Sequence, residues 1–327
     1  MKAKKGKNIF HKLFDLTIGT FAIIGLIVCL NGFGFSKKAE ELHFVHISDV
    51  HFSKELGNTP YKLRKSSPEL FDDAIEQINE TPNLSFVMFG GDLVDRATES
   101  ELQGFLEHAE KIKYPWYYTF GNHDSMLGGS LTPQKYIADV KKVNPNFKSE
   151  KTYYSFSPKK GYKIIVLDSI IRDRLTSNGE ISEEQLNWLD KELSESEKQV
   201  VLIFLHVPIA EPISAEHHKM LNAQKVMSIL GKHKNPIAVF QGHYHVSRIK
   251  QVNNILYVST PALVSYPNAF RDIKITNDND KVVFDIKTKN TRLENLRNQA
   301  RLFIVTPSLP EGEEADRNGV YTITKKK

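Results

Sequence analysis

The stretch that decides the fold is LHFVHISDVH, residues 42–51 of the 327-residue chain. Its first seven residues are mainly apolar, which predicts a buried strand over residues 42–48. Asp49 and His51 follow this strand directly and are two positions apart. Successive side chains alternate in an extended chain, so we expect both side chains to point to the same face where the strand ends.

The same arrangement of an apolar strand followed by polar residues recurs along the chain. Further strands are predicted at residues 84–89, 116–120, 162–167, 200–205 and 237–240. Four of them run into the polar segments GDLVDR at 91–96, GNHD at 121–124, HVP at 206–208 and GHYH at 242–245. Ligand sites of open α/β sheets form at such strand ends, so we expect the five polar segments to converge.

Amphipathic stretches separate the predicted strands. They lie at residues 68–80, 99–112, 133–143, 182–193 and 215–231. Strands that alternate with helices predict an α/β fold. Beyond Gly242 the pattern changes to strands without long helices, which predicts a second, more antiparallel sheet. Its strands are expected at residues 246–252, 255–259, 272–276 and 282–287.

Charge and cysteine content limit the classes of function. The formal net charge is +5, but residues 1–38 contain seven Lys and one Asp and carry +6, which leaves −1 for the rest of the chain. A globular part without excess positive charge argues against nucleic-acid binding. The only cysteine, Cys29, lies in an apolar run, so any metal ion in the globular part must be bound by nitrogen and oxygen ligands.

The amino-terminal segment has the features of a membrane anchor. Residues 16–35 are uncharged and mainly apolar, and a helix of this length would reach ~30 Å and cross a hydrocarbon core. Five Lys precede this run and two follow closely, so the positive-inside rule places the amino terminus in the cytoplasm. We predict a basic segment and a transmembrane signal anchor over residues 1–38. A signal peptide cleaved near Gly32 and Gly34 and a helix buried in the globular core are the alternatives.

Together the five polar segments resemble the motifs of the calcineurin-like metallophosphoesterases. The pattern Asp-x-His, Gly-Asp-x-x-Asp-Arg, Gly-Asn-His-Asp, His and Gly-His-x-His extends over residues 42–285. GGD at 90–92 and GHYH at 242–245 are most similar to the branch that contains bacterial cyclic-nucleotide phosphodiesterases. The resemblance implies a four-layer α/β/β/α sandwich with a dinuclear metal centre, here preceded by the predicted transmembrane helix.

The resemblance also implies which residues bind the two metal ions. One ion would be bound by Asp49, His51 and His245, the other by Asn122, His206 and His243, and Asp92 would bridge both. A bridging carboxylate offsets the repulsion between two dications about 3.5–4 Å apart, and neutral imidazoles keep the ions Lewis acidic. These ligand types do not choose among Mn, Fe, Zn and Ni, and they allow divalent or mixed-valence pairs.

Three further residues are candidates for catalysis. His123 follows Asn122 in the sequence, and the resemblance implies that it donates a proton to the leaving-group oxygen. Asp95 would orient His123 and stabilise its positive charge. Arg96 would contact a phosphoryl oxygen, with a surface salt bridge as the alternative. Asp124 is expected to support the turn that contains Asn122.

These residues predict a metal-dependent hydrolase of phosphoester bonds, in which a hydroxide that bridges two metal ions attacks phosphorus. A phosphodiesterase acting on a small phosphoester is our first interpretation. The alternatives are a pyrophosphatase or phosphatase acting on a lipid-linked or nucleotide substrate, with a lipid headgroup as partner, and a non-catalytic binding module. We predict a catalytic domain over residues 39–290, outside the cytoplasm and either anchored or secreted, and a carboxyl-terminal extension over residues 291–327.

Overall fold

Strands form the centre of the molecule. The computed structural model describes residues 40–126 and 128–326, and twelve strands lie within them. In chain order they are β1 Glu40–Ile47, β2 Phe86–Phe89, β3 Trp116–Tyr118, β4 Tyr154–Phe156, β5 Tyr162–Val166, β6 Val200–Phe204, β7 Ile237–Gln241, β8 Arg248–Val252, β9 Ile255–Ser259, β10 Ala269–Asn277, β11 Lys281–Asn290 and β12 Asn318–Thr324.

Helices connect the strands, and three of them begin with a side-chain cap. In this part of the chain the helices are α1 Ser67–Glu80, α2 Glu99–Ala109, α3 Pro133–Val143, α4 Glu183–Glu195, α5 Ala223–Lys232 and α6 Glu294–Arg301, and the one-turn helices α7 Ser308–Glu311 and α8 Glu314–Arg317. The side chains of Thr98, Thr132 and Ser182 each accept a hydrogen bond from the backbone N–H three positions on. These bonds satisfy N–H groups that have no partner within the helix.

The strands form two mixed six-stranded sheets. The first has the order β12-β11-β10-β1-β2-β3, and the second has the order β4-β5-β6-β7-β9-β8. β1, β2 and β3 are parallel, as are β5, β6, β7 and β9. The remaining neighbours are antiparallel. The parallel strands are therefore the four central strands of the second sheet and the half of the first sheet that ends at edge strand β3.

Three apolar layers hold the sheets and helices together. Between the sheets, Phe44 stacks on Phe86 with ring centroids 5.0 Å apart and meets Phe204 of the second sheet edge-on at 5.7 Å. On the outer face of the first sheet, Phe71 of α1 contacts Phe89 of β2 at 5.8 Å. Apolar side chains of α4 and α5 cover the outer face of the second sheet in the same way. The layers are therefore helices, sheet, sheet and helices, in agreement with the predicted sandwich.

The carboxyl-terminal strands do not form a sheet of their own, so that prediction was wrong. β8 and β9 extend the second sheet, whereas β10, β11 and β12 extend the first. The register places Ile273 of β10 opposite Phe44 of β1 and buries both side chains between the sheets. A strand whose apolar and polar side chains alternate can join either sheet. Its pairing depends on where its apolar face can be buried.

The helix predicted over residues 215–231 is also wrong in its first half, because α5 begins only at Ala223. The preceding backbone pairs with the loop before α4. The Gly179 N–H donates to the Lys219 carbonyl at 3.0 Å, and the Leu221 N–H donates to the Gly179 carbonyl at 2.8 Å. His217 and His218 therefore lie in a turn rather than at the start of a helix.

The carboxyl-terminal segment contains more regular structure than the sequence indicated. Residues 291–327, expected only as an extension, contain α6, α7, α8 and β12, and β12 pairs with β11. Strand β4 was not predicted either. Residues 318–324 thus complete the edge of the first sheet.

Within residues 40–126 and 128–326, no helix is long and apolar enough to cross a membrane. The anchor predicted over residues 16–35 lies outside this part of the chain, so it stays a prediction.

Candidate metal centre

Seven polar side chains from both sheets meet at one end of the sandwich. They follow the carboxyl ends of β1, β2, β3, β6 and β7 and are Asp49, His51, Asp92, Asn122, His206, His243 and His245. The first four come from the first sheet and the three later His residues come from the second. The structure thus brings together all of the residues that the sequence predicted as ligands, at the junction between the sheets.

The backbone at five of these positions adopts the left-handed conformation. The φ angles are 56° at Asp49, 45° at His51, 52° at Asp92, 73° at His243 and 57° at His245. Residues with a Cβ rarely adopt this region, and such strain persists only where surrounding contacts enforce it. Here the Asp49 N–H donates to the Gly91 carbonyl at 3.0 Å and the His51 N–H donates to the Asp92 carbonyl at 2.9 Å. These turns aim the side chains at a common point.

Two glycines allow the loops to approach one another closely. A Cβ on Gly121 would lie 2.1 Å from the Asp92 backbone nitrogen, and one on Gly242 would lie 2.0 Å from the Ser48 hydroxyl oxygen. Neither position has room for a side chain. The glycines that precede Asn122 and His243 are therefore required by contact between ligand loops.

The first group of potential metal ligands comprises Asp49, His51 and His245. His245 Nε2 lies 3.2 Å from Asp49 Oδ1, and its Nδ1 lies 2.9 Å from the Ser265 hydroxyl. That hydroxyl donates to the Tyr61 carbonyl, so it accepts from Nδ1–H of His245. The Nε2 lone pair of His245 is consequently directed toward Asp49.

The second group comprises Asp92, His206 and His243. His206 Nδ1 donates to the Gly90 carbonyl at 2.8 Å, which leaves Nε2 as the atom that can bind a cation once it has lost its own proton. This Nε2 lies 3.2 Å from His243 Nδ1. Two nitrogens bound to one ion at about 2.1 Å lie roughly 3 Å apart, so this spacing suits a shared cation.

Asp92 lies between the two groups. Its Oδ2 is 3.4 Å from His51 Nε2 on one side and 3.3 Å from His206 Nε2 on the other. Its Oδ1 accepts the backbone N–H of His123 at 2.9 Å, which fixes the carboxylate plane. A carboxylate placed between two sets of imidazoles has the position required of a bridging ligand.

Unpartnered buried atoms test whether these residues fit metal ions. Asp49 Oδ1, His51 Nε2, Asn122 Oδ1 and His243 Nε2 are buried and form no hydrogen bond within the described part of the chain. Leaving a buried polar atom without a partner costs about 1–3 kcal/mol, so native structures rarely tolerate several together. Three of these atoms, on Asp49, His51 and Asn122, lie on predicted ligands and would be satisfied by bound cations.

The two carboxylates of the centre remain anionic. Burial raises the pKa of Asp49, but His245 and His206 lower it further, so that its pKa lies well below the usual value. The pKa of Asp92 is also lowered, because His206 and the neighbouring imidazoles outweigh the effect of burial. Both residues therefore have the charge needed to bind cations at neutral pH.

Burial acts in the opposite direction on the imidazoles. It is the main cause that lowers the pKa of His51 to about 3, and it also lowers the pKa of His243. These two residues are neutral at pH 7 and can offer a lone pair. His206 differs because Asp92 outweighs the effect of burial and raises its pKa to about 9. A cation bound at this position would have to displace that proton.

Asp95 contacts His123 in a different way from the one predicted. His123 Nδ1 lies 2.5 Å from the backbone carbonyl of Asp95 rather than from its carboxylate. The carboxylate lies 3.0 Å from His51 Nδ1 and 3.3 Å from the Arg64 guanidinium. Asp95 therefore orients His123 through its main chain and orients His51 through its side chain.

Arg96 forms the surface ion pairs that the sequence left open as an alternative. Its guanidinium lies 3.6 Å from Glu55 and 3.6 Å from Glu101, and 45% of its side chain is exposed. The Arg96 backbone N–H also donates to Glu101 at 2.8 Å. These contacts correct the expectation of a phosphoryl contact from Arg96, because its side chain is engaged on the outside of the loop.

Sequence reasoning missed Lys62 and Arg64, which provide the cations nearest to the centre. Lys62 Nζ lies 3.3 Å from His51 Nδ1 and 3.9 Å from Asp95 Oδ1. Burial lowers the pKa of Lys62, although the nearby carboxylates oppose the shift. The basic segment KLRK at 62–65, shortly after Asp49 and His51 in the chain, was the available signal.

Asp124 supports the ligand loops, as expected. Its Oδ1 accepts the backbone N–H groups of Leu93 and Val94 at 2.7 and 3.1 Å, and its Oδ2 accepts the Gly121 N–H at 2.8 Å. Burial, helped by Asp92, raises its pKa to about 7. Asp124 thereby joins the loop that follows β2 to the loop that follows β3.

A cleft of about 620 Å³ opens onto the centre. Its polar wall includes Lys62, Asp92, Asn122, His123 and His243. This volume lies in the range of small-molecule sites. The side chain of His218 also lines the cleft, with its ring 5.2 Å from that of His243.

The fold and the site together define a class of protein, a two-sheet α/β protein with nitrogen and oxygen ligands for two adjacent cations. Residues 42–247 match the calcineurin-like phosphoesterase family. The match covers more than half of the chain, so this protein belongs to the calcineurin-like phosphoesterases and is a hydrolase. The resemblance inferred from the five polar segments is confirmed.

Curated relatives carry related names. A probable glycerophosphodiester phosphodiesterase from Arcobacter nitrofigilis is 29% identical, over 62% of this chain and 71% of its own. A 3′,5′-cyclic-nucleotide phosphodiesterase from Nostoc is 24% identical, over 68% and 78%. A manganese-dependent ADP-ribose/CDP-alcohol diphosphatase from Arabidopsis thaliana is 24% identical, over 62% and 77%.

A solved structure supports the fold. The crystal structure of a dimetal phosphatase from Danio rerio aligns with a TM-score of 0.61 and 17% identity. The alignment covers 87% of this chain and 99% of that one.

Proposed function

We propose that the protein is a phosphodiesterase whose two metal ions are bound by the seven residues of the centre. Asp49, His51 and His245 are assigned to one ion, Asn122, His206 and His243 to the other, and Asp92 to both. The observation that carries this assignment is the group of buried, unpartnered ligand atoms around Asp92. Relatives named as phosphodiesterases support the choice of a diester.

When bound, the metal ions supply Lewis acidity and a nucleophilic hydroxide near neutral pH. The residues of the chain handle the leaving group. A carbonyl oxygen can only accept a hydrogen bond, so the contact with Asp95 keeps the proton on His123 Nδ1. The doubly protonated imidazolium of His123 can then give its Nε2 proton to the leaving oxygen and end as a neutral ring with its proton on Nδ1. Lys62, which lines the cleft, replaces Arg96 as the cation that faces a phosphoryl oxygen.

A pyrophosphatase is the second candidate. It is supported by the relatives named manganese-dependent ADP-ribose/CDP-alcohol diphosphatases. Their names also favour manganese among the metals that the ligand types allow. A lipid-linked substrate belongs to the same candidate, because an enzyme anchored at a membrane would meet such substrates there.

We further propose that the domain is anchored by residues 16–35 and faces away from the cytoplasm. The support is the sequence pattern of a long apolar run behind a basic amino terminus. Digestion of intact cells with an external protease tests this orientation. Loss of the domain is the expected result, and its protection until the cells are lysed would contradict the proposal.

One experiment tests the proposed function. The full chain is purified in detergent with added Mn²⁺ and is assayed on aryl and alkyl phosphodiesters, aryl monoesters, cyclic nucleotides and a nucleotide diphosphate ester. Asp92→Asn is expected to lose bound metal and all hydrolysis together, because the bridging charge is lost. His123→Ala is expected to retain two metals and to lose roughly 10²–10⁴-fold in rate on alkyl leaving groups. Its loss on nitrophenyl groups should be smaller, because they need no proton.

Metal content is measured by elemental analysis beside each rate. Full activity of His123→Ala on an alkyl phosphodiester would remove the acid role from His123. Two bound metals without turnover of any substrate would favour a binding module instead.

A further inference from the structure

The cleft has a second wall that differs chemically from the metal-binding wall. The segment after α6 supplies it and contributes Phe303, Ile304, Val305, Leu309 and Pro310. Val246 and Ile213 continue the apolar lining at its base. The same cavity therefore combines a polar wall at the metal centre with an apolar wall from the carboxyl-terminal segment.

The apolar wall is exposed to solvent to an unusual degree. Relative exposure is 98% for Val305, 54% for Phe303 and 46% for Leu309. Exposed apolar side chains that occur singly are normal, but a group of them along a ligand cleft marks a binding surface. A ligand bound in the cleft would cover these side chains, because they line the same cavity as the metal centre.

The segment is fixed to the domain by bonds close to the ligand loops. The Ser247 N–H donates to the Pro310 carbonyl at 2.8 Å, two residues after His245. The Tyr266 hydroxyl donates to the Glu311 carboxylate, and the Arg301 guanidinium lies 5.8 Å from the Tyr266 ring centroid. The apolar wall is therefore built into the site rather than attached to it loosely.

The two walls select for an amphiphilic ligand. At one end, Asp92, Asn122 and His243 would hold the metal ions that bind a phosphoryl group, and Lys62 adds a positive charge. At the other end, the exposed side chains offer no charge and would gain free energy by covering an aliphatic group. A wholly polar ester would leave this wall in water.

We propose that the substrate is a phosphodiester with an aliphatic arm that lies along Phe303, Val305 and Leu309 while its phosphate binds at the metal centre. This inference rests on the proposed phosphodiesterase function and names the substrate class of that same site. The substrate would carry one phosphate and one unbranched chain in the same molecule, as in a lysophospholipid or a related ester.

A homologous series of substrates tests the proposal. Nitrophenyl methyl, butyl and octyl phosphodiesters are compared on the full Mn²⁺-loaded protein, below their critical micelle concentrations. Full burial of a methylene corresponds to about fourfold in affinity. On an exposed wall we expect about half of that free energy, and hence kcat/KM should rise about twofold per methylene. The octyl ester should therefore exceed the methyl ester by about 100-fold.

Matched variants assign the effect to the wall. The double variant Phe303→Ser/Val305→Ser should leave kcat/KM for the methyl ester unchanged and should lower the ratio of octyl to methyl about tenfold. Val320→Ser is the control, because Val320 is 70% exposed and lies on edge strand β12. Its ratio should equal that of the unmodified protein.

Three outcomes would overturn the inference, and each is separable from failure of the proposed function. Equal kcat/KM for all chain lengths would leave a phosphodiesterase without an aliphatic subsite. A chain-length effect that appears only above the micelle concentration would assign the apolar wall to a lipid surface. If no ester is hydrolysed, the proposed function fails. The aliphatic subsite is then tested by comparing the affinities of octylphosphonate and methylphosphonate by calorimetry. Tenfold tighter binding of octylphosphonate would support it, and equal binding would overturn it.

Discussion

Each ring nitrogen of His51 faces a different carboxylate. Its Nδ1 lies 3.0 Å from the Asp95 carboxylate, and its Nε2 lies 3.4 Å from Asp92 without a hydrogen-bond partner among the described residues. A carboxylate beside Nδ1 keeps the proton on that atom and makes Nε2 the better ligand. Asp95 is thus a positioning residue that acts on a metal ion through His51.

This role predicts the behaviour of Asp95 variants. Asp95→Ala should weaken binding at the site of His51 by about 10–100-fold, because the imidazole loses the partner that orients it. Asp95→Asn should lose less, since its amide oxygen can still accept from Nδ1–H. Titration of the metal-free protein with Mn²⁺ by calorimetry measures both variants without reference to turnover.

Arg96→Gln is the matched control for that prediction. The half-exposed Arg96 side chain forms ion pairs with Glu55 and Glu101 outside the centre. Such surface pairs contribute only about 0–1 kcal/mol to stability. We expect metal affinity within threefold of the unmodified protein. If Asp95→Ala bound two Mn²⁺ ions as tightly as Arg96→Gln, the positioning role would be refuted.

At the scale of elements, the central strands were predictable and their partners were not. β1, β2, β6 and β7 are short apolar runs that end in polar residues, and parallel strands must end at one edge, so their sequences predict a shared site. The strands after β7 carry no signal for which sheet they join. Their pairing depends on tertiary burial, as for Ile273 of β10 against Phe44 of β1.

The candidate site was predictable in its residue types but not in its geometry. Asp, Asn and His at strand ends indicate metal ligands whatever the exact turn. The left-handed backbone at His51 and His243 leaves no mark in the sequence, because only a small minority of His residues adopt this conformation. The carbonyl contact of Asp95 and the approach of Lys62 depend on that backbone and were therefore missed.

A cross-strand pair between β1 and β10 gives a pH-dependent prediction. His43 Nε2 lies 2.7 Å from Asp272. Burial raises the pKa of Asp272, but the hydrogen bond and charge of His43 lower it below the usual 3.8. A carboxyl whose pKa is lower in the folded state stabilises the fold above pH 3.8 and loses this contribution as the pH falls through its folded pKa.

Asp272→Asn should therefore lower the free energy of unfolding by roughly 1 kcal/mol at pH 6 and by much less near pH 3. Urea denaturation of the metal-free protein at several pH values measures the difference, which keeps metal loss out of the comparison. An equal loss at both pH values would show that the charge of Asp272 does not contribute.

At the scale of the whole molecule, the layer between the sheets holds the two ligand sets at the correct separation. Phe44 lies in its centre, is fully buried, and contacts Phe86, Phe204 and Phe240 at 5.0 to 5.7 Å. Phe44→Ala should lower the free energy of unfolding by about 3–5 kcal/mol, because the cavity cannot collapse between two sheets. Phe44→Leu should lose clearly less, and urea denaturation compares the two. Equal losses would argue against a cavity effect.

The first sheet combines early and late strands of the chain, and this determines when the sheet can be completed. β1 stands at the middle of the first sheet, yet its neighbour β10 ends at Asn277 and the edge strand β12 ends at Thr324. A chain synthesised from its amino terminus cannot close this sheet until residue 324 has been made, because pairing over such long sequence separations waits for both strands. His243 and His245 likewise arrive long after Asp49. The metal centre consequently cannot form before residue 245 has been synthesised, and its ions are drawn from the compartment in which this part of the chain folds.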